Sequence, residues 1–417
     1  MLVTRGYKYA LRINNKERTL FQQCAGTARF SWNWGLAQRL KQYKINTGSE
    51  RFTDAMKQHK EINKLKKTTF RWMYKYSKCI PQEALRDLDQ AFKNFTTSWK
   101  KNRCRVGFPK FKKKNRCKDS FRLTGVIRFY PDKKLVQLPR LGKLRLEEKP
   151  SIPINGRILS ATVSRTANRW YVSATVEEPR SDPQLIQGEV LGMDAGLSRF
   201  GVLSNGLSIS TPKFLLRRLK KLRRLSRSHS RKQLGSKNRK KSAFKLARFH
   251  KRVSDCRHDF LHKTSLTLAK NHSVLVVEDL YVEGLYMNKK QSKYWQDLAH
   301  GEFQRLLRYK TRWYGSSLVS VPRFFPSSKL CSNCLWYHTD LYLKDRVFIC
   351  QLCGLHLDRD LNAARNLVNY YYWHAPLLHP LIVFSCLSVT KSSLETLNAC
   401  GELVRPGTPR HDSMNQE

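Results

Sequence analysis

The stretch CQLCGLHLDRDLNAARN, residues 350–366, brings two kinds of metal ligand close together in the sequence. It begins with a CxxC pair, Cys350 and Cys353, whose thiolates suit a soft or borderline metal ion. Five residues later come two carboxylates, Asp358 and Asp360, at the head of a run with a helical pattern. Carboxylate oxygens suit Mg²⁺ and other hard cations. The stretch therefore predicts the end of a thiolate module that leads directly into a helix carrying acidic ligands.

The other thiolates of such a module lie upstream. CSNC, residues 331–334, precedes CQLC by fifteen residues, a spacing typical of a four-thiolate tetrahedral zinc site. Four protein thiolates close the coordination sphere, so the predicted Zn²⁺ is structural. Its predicted ligands are Cys331, Cys334, Cys350 and Cys353; the alternative is four unrelated thiols. The other seven cysteines are scattered without a pairing pattern, which favours a reducing compartment over a disulfide framework.

Two further carboxylates end apolar segments elsewhere in the chain. Asp194 follows the apolar start of LGMDAG, and Glu278 follows that of LVVED. Buried strands deliver acids to the carboxyl edge of a sheet in this way. We predict that Asp194, Glu278 and Asp360 converge and hold Mg²⁺, two ions in all, for phosphodiester cleavage. Taken singly, each acid has the alternative role of a turn residue or helix cap.

The composition indicates a polyanionic partner. Lys and Arg number 80 against 31 Asp and Glu, which gives a formal net charge of +49, and aromatic residues make up 11%. Residues 213–253 contain no acid and are patterned as two helices joined near Gly235 and Ser236. A merely solvated basic surface is the alternative, but an excess of this size favours contact with nucleic-acid phosphates. The hydrophobic fraction of 40% excludes a disordered polycation.

The periodicities predict an α+β multidomain fold. A chain of 417 residues exceeds the usual limit for one core, about 250–300 residues. Residues 16–105 are patterned as helices, and one continuous apolar face is predicted from Leu85, Leu88, Phe92, Phe95 and Trp99. YKYALRI near the N-terminus and the segments from residue 106 onward alternate like strands, including a hairpin across ANR. They predict a small β-barrel interrupted by the helical segment, and EPRSDPQ, residues 178–184, predicts a linker to a second domain.

The sequence gives no indication of export or of membrane insertion. MLVTRGYKYALRI at the N-terminus lacks an apolar core of signal-peptide length, so we expect a protein that is not exported. The apolar run at 367–389 approaches the length of a membrane span, but Pro376, Pro380 and several polar residues interrupt it. We expect a buried or irregular segment there and no membrane contact.

A series of short blocks along nearly the whole chain resembles one protein family. The blocks are TARFSWNWGLAQR, ALRDLDQAFKNF, VGFPKFKKK, LGMDAGLSRF, KLARFHKRVSDCRHDFLHK, VVEDL, GEFQRLLRYKTRWYG, FPSSKLCSNC, CQLCG, DRDLNAARN and TLNACGE. Their order and spacing are similar to those of the TnpB proteins, which are transposon-associated relatives of the type V CRISPR effectors. Leu335 stands after the first CxxC where Gly is common, Leu357 precedes DRD where His is common, and the run at 367–389 is less polar than expected.

The resemblance implies an RNA-guided DNA endonuclease encoded by a transposable element. Its partners would be a guide RNA derived from the element and double-stranded target DNA, cut beside a short motif by a single RuvC-type site. Asp194, Glu278 and Asp360 match the three acids of that site. Asp360 is preferred to Asp358 because the family's acid directly precedes the xNAA segment. We expect a monomer in the prokaryotic cytoplasm, associated with the nucleoid when bound to DNA.

The resemblance also implies a domain arrangement. A β-barrel (wedge) domain carries an inserted helical recognition domain, and an RNase H-like (RuvC) α/β nuclease domain is interrupted by a zinc-ribbon module that binds target nucleic acid. The corresponding ranges are 1–15 and 106–180 for the barrel, 16–105 for the recognition domain, 186–322 and 357–400 for the nuclease domain, 323–356 for the zinc module and 401–417 for a flexible tail.

Two other functions compete with a guided nuclease. One is an RNA-guided protein that binds DNA without cutting it and acts by occupying its target, but the presence of all three acids disfavours this function. The other is a transposase or a transposase accessory protein. The sequence shows no evident His-x-His pair with a Tyr nucleophile, so transposition ranks below both guided functions.

Overall fold

A computed structural model describes residues 1–45, 54–100, 106–153, 155–342 and 344–387. The chain divides into two compact units, Met1–Asp182 and Pro183–Glu417. The division falls inside EPRSDPQ, residues 178–184. The predicted tail at 401–417 lies outside the described residues.

The helices of the first unit follow one N-terminal strand, β1. They are α1 (Asn15–Ile45), α2 (Ala55–Leu65), a 3₁₀ helix (Arg71–Lys75) and α3 (Cys79–Lys100), after β1 (Leu2–Arg12). The apolar face predicted on α3 is buried over its first part: Leu88 and Phe92 pack with Trp32 and Leu36 of α1, and Leu85 joins a second cluster with Ile62 of α2. The prediction is wrong at the end of the helix, where Phe95 is half-buried and Trp99 is 67% exposed. Burial of this face is what holds the three helices together.

Seven strands of the first unit form one sheet. The further strands are β2 (Ser120–Leu123), β3 (Arg128–Tyr130), β4 (Leu135–Leu138), β5 (Gly142–Leu146), β6 (Arg157–Thr166) and β7 (Arg169–Pro179). The hairpin predicted across ANR joins β6 and β7 through Ala167 and Asn168, whose φ angles of +50° and +65° suit the tight turn that favours strand twist.

The expected barrel is not closed. The strand order is β2-β6-β7-β1-β5-β4-β3, so the two end strands each have one neighbour among the described residues. β1 serves both halves, because residues 2–10 pair with β7 and residues 11–12 pair with β5. The end strands are only four and three residues long, which leaves few backbone groups to complete a closed hydrogen-bond ladder.

The second unit contains a mixed five-stranded sheet. Its strands are β8 (Val190–Asp194), β9 (Arg199–Leu203), β10 (Ser208–Ser210), β11 (Val274–Glu278) and β12 (Ser317–Val321), in the order β10-β9-β8-β11-β12. β8, β11 and β12 are parallel, whereas β9 and β10 are antiparallel. The carboxyl ends of the three parallel strands therefore lie at one edge of the sheet.

Helices cover both faces of this sheet. They are α4 (Phe214–Ser230), α5 (Lys237–Asn271), α6 (Val282–Met287), α7 (Ser292–Leu298), α8 (His300–Tyr314) and α9 (Arg359–Leu387). Leu275 and Val277 of β11 pack toward a core that includes residues of α5 and α8. Val274 and Val276 pack on the opposite face with Leu367 of α9. The near-continuous apolar strands fit a sheet that is buried on both sides.

Two regions of the second unit depart from the simplest expectations. The acid-free segment forms α4 and α5, but α5 continues well past residue 253, and Ser236 caps it by accepting a hydrogen bond from the backbone N–H of Arg239 at 3.0 Å. The second region is the apolar run at 367–389, for which the sequence predicts a buried or irregular segment. This run is helical as far as Leu387, because α9 extends through it. Among the helices of the described residues, none is long and apolar enough to cross a membrane.

Candidate metal centres

Asp194 and Glu278 lie at the ends of adjacent parallel strands. The register pairs Val274 with Val190 and Val277 with Met193, so the next residue of each strand is an acid. The apolar residues that precede both acids are buried, and burial fixes the strands while their carboxylates emerge at the sheet edge. The structure therefore brings together the two strand acids predicted from the sequence.

Asp360 reaches the same edge in the first turn of α9. This helix packs directly on β8, where Gly192 makes the close approach possible. A Cβ at Gly192 would overlap the backbone carbonyl of Ala364 and would lie 3.0 Å from Cγ2 of Val368. Any larger residue would force the helix, and Asp360 with it, away from the strand.

Asp358 has a different position from Asp360. Its Oδ1 accepts hydrogen bonds from the backbone N–H groups of Asp360, at 3.0 Å, and Leu361, at 3.1 Å. Asp358 therefore acts as the cap at the start of α9. Burial would raise the pKa of Asp358, but a hydrogen bond from Arg199 and these backbone donors together lower it.

Two arginines neutralise part of the acidic charge. Nη2 of Arg199 lies 2.9 Å from both carboxylate oxygens of Asp358 and 2.8 Å from Oδ2 of Asp360. Nη2 of Arg359 lies 3.3 Å from Oδ1 of Asp360. Sequence reasoning missed both contacts; for Arg199 the partners are about 160 positions away in the chain, so no local pattern indicates them.

The two strand acids have raised pKa values. The pKa of Asp194 is well above its usual range, because of burial first and then the negative charges of Glu278 and Asp360, although Arg359 and Arg199 oppose the shift. Burial also raises the pKa of Glu278, against a hydrogen bond from Ser327. Crowded carboxylates with raised pKa values are the arrangement that a divalent cation relieves.

Ser327 connects Glu278 to the loop after β12. Its hydroxyl donates to Oε1 of Glu278 at 2.6 Å, and its side chain is almost fully buried. The bond fixes one carboxylate oxygen and leaves the other available to a ligand. Ser327 belongs to the block FPSSKLCSNC, but nothing in that block indicates contact with an acid 49 positions away.

The four predicted cysteines form one cluster. Their sulfur atoms all lie within 4.8 Å of one another, and in the described part of the chain they are the one set of three or more His, Cys, Asp or Glu residues gathered this closely. Sγ of Cys331 lies 3.6 Å from that of Cys353, and Sγ of Cys334 lies 3.4 Å from that of Cys350. A zinc ion with bonds of about 2.3 Å requires sulfurs about 3.8 Å apart, so the donor set fits this ion.

Each CxxC pair lies in a turn of the same form. Leu335 donates its backbone N–H to the carbonyl of Cys331 at 3.0 Å, and Gly354 does the same to Cys350 at 3.0 Å. Leu335 and Gly354 both have left-handed backbones, with φ of +67° and +71°. Two short strands, β13 (Val347–Ile349) and β14 (His356–Asp358), pair beside the cluster. β14 leads directly into α9.

Asparagines on one face of α9 hold the loop that enters the cluster. Asn362 accepts from the backbone N–H of Ser332 at 2.9 Å and donates to the carbonyl of Leu330 at 2.6 Å. Asn366 donates to the carbonyls of Ser327 and Leu330 at 2.8 and 2.7 Å. Both side chains are fully buried. The asparagines of the block DRDLNAARN thus connect α9, the acid helix that carries Asp360, by hydrogen bonds to the segment that contains the first cysteine pair.

Comparison with known proteins finds relatives that span most of the chain. A protein of Streptomyces pristinaespiralis is 33% identical over 368 residues, covering 88% of this chain and 89% of the relative. InsQ of Escherichia coli (strain K12) is 29% identical over 419 residues, covering 97% and 95%. Both carry the name "Putative RNA-guided DNA endonuclease".

Three family models match separate parts of the chain. One described as "Probable transposase" matches residues 173–289, and one described as "Cas12f1-like, TNB domain" matches residues 300–367. A third, described as "Helix-turn-helix domain", matches residues 1–48, where the described residues form strand β1 and the single helix α1. The first two ranges contain all three acids and all four clustered cysteines.

A solved structure has a similar fold. The cryo-EM structure of a Cas12f1–sgRNA–target DNA complex matches with a TM-score of 0.53 and 14% sequence identity, covering 88% of this chain and 98% of that protein. At this identity the likeness concerns the fold alone.

Proposed function

The chain belongs to the TnpB family, and we propose that it is an RNA-guided DNA endonuclease whose cutting site is formed by Asp194, Glu278 and Asp360. The observation that carries this proposal is the placement of the three acids at one edge of the sheet: Asp194 and Glu278 end adjacent parallel strands in register, and Asp360 lies in the first turn of α9, which packs on β8. Burial, and then the charges of Glu278 and Asp360, raise the pKa of Asp194. An exposed acidic turn would not produce such a shift, whereas catalytic sites often do.

The three carboxylates are the residues that would hold Mg²⁺. Two such ions activate a water molecule and stabilise the leaving oxygen in phosphodiester hydrolysis. The protein's own contribution is positional: β8 and β11 fix two acids side by side, and Gly192 allows α9 to bring the third against them. Ser327 orients Glu278, and Asp358 caps the helix that carries Asp360. Rigid elements of this kind hold reacting groups with the precision that catalysis requires.

We further propose that the second unit is an RNase H-like nuclease domain of the RuvC type. The support is its five-stranded sheet, in which one hairpin strand, β9, lies antiparallel to β8 and two parallel strands follow on the other side. The first unit would provide the wedge and helical recognition domains at the ranges expected from the sequence. Its seven-stranded sheet and helical insertion between β1 and β2 support that arrangement.

The cysteine cluster would hold a structural Zn²⁺. Its four sulfurs leave no position for a substrate ligand, and the hydrogen bonds from Asn362 and Asn366 connect the module to the acid helix. The module at 323–356 would bind target nucleic acid. We therefore assign the cluster to the stability and placement of that module and the acids to cutting.

The positive charge would serve RNA and DNA binding. α4 has no buried residue and carries seven Arg or Lys side chains between Phe214 and Ser230. Phosphate contacts by such a surface release counterions and give affinity without sequence readout. Base pairing by an element-derived guide RNA would supply the choice of target, and a single chain would carry the whole site.

The test is guided cleavage by the purified complex. The protein is co-expressed with RNA from its element, the copurifying RNA is sequenced, and plasmids carrying the matching target beside randomised flanking bases are added with Mg²⁺ or with EDTA. We expect one defined RNA species and cutting that requires Mg²⁺, a guide match and a particular flanking motif. A random RNA population would contradict the guided function, and guided binding without cutting would support the non-cleaving alternative.

A further inference from the structure

The loop after β12 leaves the sheet beside the acids. Val321, the last residue of β12, is paired in register with Glu278, and its carbonyl accepts the backbone N–H of Asp279 at 3.1 Å. Six residues after β12 ends at Val321, the hydroxyl of Ser327 donates a hydrogen bond to the Glu278 carboxylate. Residues 322–327 are therefore fixed to the acid-bearing strand at both ends.

Arg323 is held in place within this loop. Its guanidinium lies 4.7 Å from the centre of the Tyr281 ring, and Nη2 lies 3.3 Å from Oδ2 of Asp279. Stacking on an aromatic face and pairing with a carboxylate restrict a side chain that would otherwise be mobile. Arg323 nevertheless keeps 31% of its side chain exposed, so a fixed positive charge reaches solvent at this edge of the sheet.

Phe324 and Phe325 are adjacent but have opposite environments. Phe325 packs against Tyr370 of α9, with ring centres 5.1 Å apart. Phe324 is 92% exposed, and no other large apolar side chain among the described residues is as exposed. Packing of the fold gives no reason for an aromatic ring at this position. Exposed aromatic rings beside cationic groups are the usual platforms for unpaired nucleic-acid bases.

We propose that Tyr281, Arg323 and Phe324 form a subsite for the DNA strand being cut. Phe324 stacks on the base of a nucleotide next to the scissile phosphate, and Arg323, supported by Tyr281, contacts a neighbouring phosphate. The subsite is indifferent to base identity, because every base presents a flat face for stacking. The inference rests on the proposed function, since it takes Asp194, Glu278 and Asp360, the acid group, as the place of cutting.

The experiment couples a protein change to a substrate change. The guide-loaded complex cuts its target under single-turnover conditions at saturating protein, with either a normal nucleotide or an abasic one beside the cut. Four proteins are compared: wild type, Phe324→Ala, Phe324→Trp, and Tyr294→Ala, which removes a partly exposed aromatic ring of α7 in the same unit. Binding of uncut target in EDTA is measured in parallel.

Phe324→Ala is expected to slow cutting roughly tenfold, the usual effect of losing one stacked base, while target binding changes little. The abasic nucleotide should slow wild type and Phe324→Trp by a similar factor, yet add almost nothing in Phe324→Ala, because the two losses remove the same contact. Tyr294→Ala should show the wild-type response to the abasic nucleotide.

Several outcomes would overturn the subsite. Cutting by Phe324→Ala at the wild-type rate would do so, as would losses that multiply when protein and substrate changes are combined. A Phe324→Ala protein that loads guide RNA poorly but cuts normally once loaded would assign the surface to RNA and contradict the proposal. If wild type itself does not cut guided target with Mg²⁺, the proposed function fails instead, and Phe324 is not the reason.

Discussion

The cysteine cluster and the acid group lie in the same unit but are assembled in opposite ways. The four cysteines come from 23 consecutive positions, in two turns that each gather their own pair. The three acids come from two strands and a helix spread over more than 160 positions. The cluster needs mainly local geometry, whereas the acid group needs the whole sheet and its helix. The cysteine cluster therefore stabilises the module around it, whereas the three acids depend on the folded sheet and on α9 for their positions.

The sharpest separation between the two sites should come from Asp194→Asn. The carboxyl's raised pKa means that burial and neighbouring acids disfavour its charge, so at neutral pH the charged group costs folding stability. We expect guided cleavage to fall by about 1,000-fold or more, while the melting temperature in EDTA rises. Cleavage rates and thermal melts of the purified protein check both effects.

Asp255→Asn is the matched control, because Asp255 is an exposed acid paired with Lys251 within α5. It should leave cleavage and melting close to wild type. Cleavage by Asp194→Asn within tenfold of wild type would remove Asp194 from the cutting site.

Cys350→Ser should have the opposite profile, with loss of structure as the primary effect. Removing one of four thiolates is expected to lower bound zinc by about one equivalent per chain and to unfold the module locally, since metal binding and folding are coupled. Metal analysis and hydrogen exchange over residues 323–356 measure these changes. Cys256→Ser, at a cysteine outside the cluster, should retain the metal. A zinc-free wild-type protein would contradict the assignment of the cluster.

The difference in assembly also explains what the sequence could predict. The spacing of the cysteine pairs carries their geometry, so all four were predictable without the fold. The positions of Asp194 and Glu278 were predictable because a short apolar run indicates a buried strand, and the first acid after the run marks the end of that strand. Asp360 was separated from Asp358 only through the resemblance to TnpB. The relatives confirm the family, whereas the choice of Asp360 as a ligand stays a prediction. Asp358 proves to be the helix cap.

Long-range contacts and sheet closure could not be predicted. Arg199 bonds with acids about 160 positions away, and Ser327 bonds with Glu278 across 49 positions; neither residue stands in a distinctive local pattern. Alternation of apolar and polar residues predicts strands, but it does not predict whether the first and last strands of a sheet pair with each other. The prediction of a closed barrel was therefore wrong, because β2 and β3 do not pair. The role of Gly192 likewise depends on the helix that packs over it.

His300, at the start of α8, should make the folding stability of the second unit depend on pH. The ring is almost fully buried and stacks on Phe200 with centres 4.7 Å apart. Burial lowers the pKa of His300 from 6.5 to about 4, although a hydrogen bond with the backbone of Gly196 opposes the shift. The unfolded chain binds the proton below about pH 6.5 and the folded chain does not. The contribution of the neutral His300 ring to folding stability is therefore fully present above pH 6.5 and is lost as the pH falls toward 4.

The expected loss is up to about 3 kcal/mol, measured by urea unfolding of the full chain between pH 4 and 7. His300→Gln should flatten the curve in this window relative to wild type. His258→Gln, at an exposed position of α5, should retain the wild-type slope. Equal slopes for wild type and His300→Gln would show that another group titrates.

The smallest effect distinguishes the two turns of the cysteine cluster. Leu335 has a φ of +67°, and the equivalent position in the second turn is Gly354, with φ of +71°. A left-handed backbone costs an L-residue about 1–2 kcal/mol, and glycine avoids this strain. Leu335 is 46% exposed, so little packing is lost on its removal. Leu335→Gly should therefore stabilise the module by about 1 kcal/mol, seen as slower zinc loss to a chelator. Gly354→Ala should speed the loss, and a Leu335→Gly protein that releases zinc faster than wild type would show that the leucine side chain contributes more than its backbone strain costs.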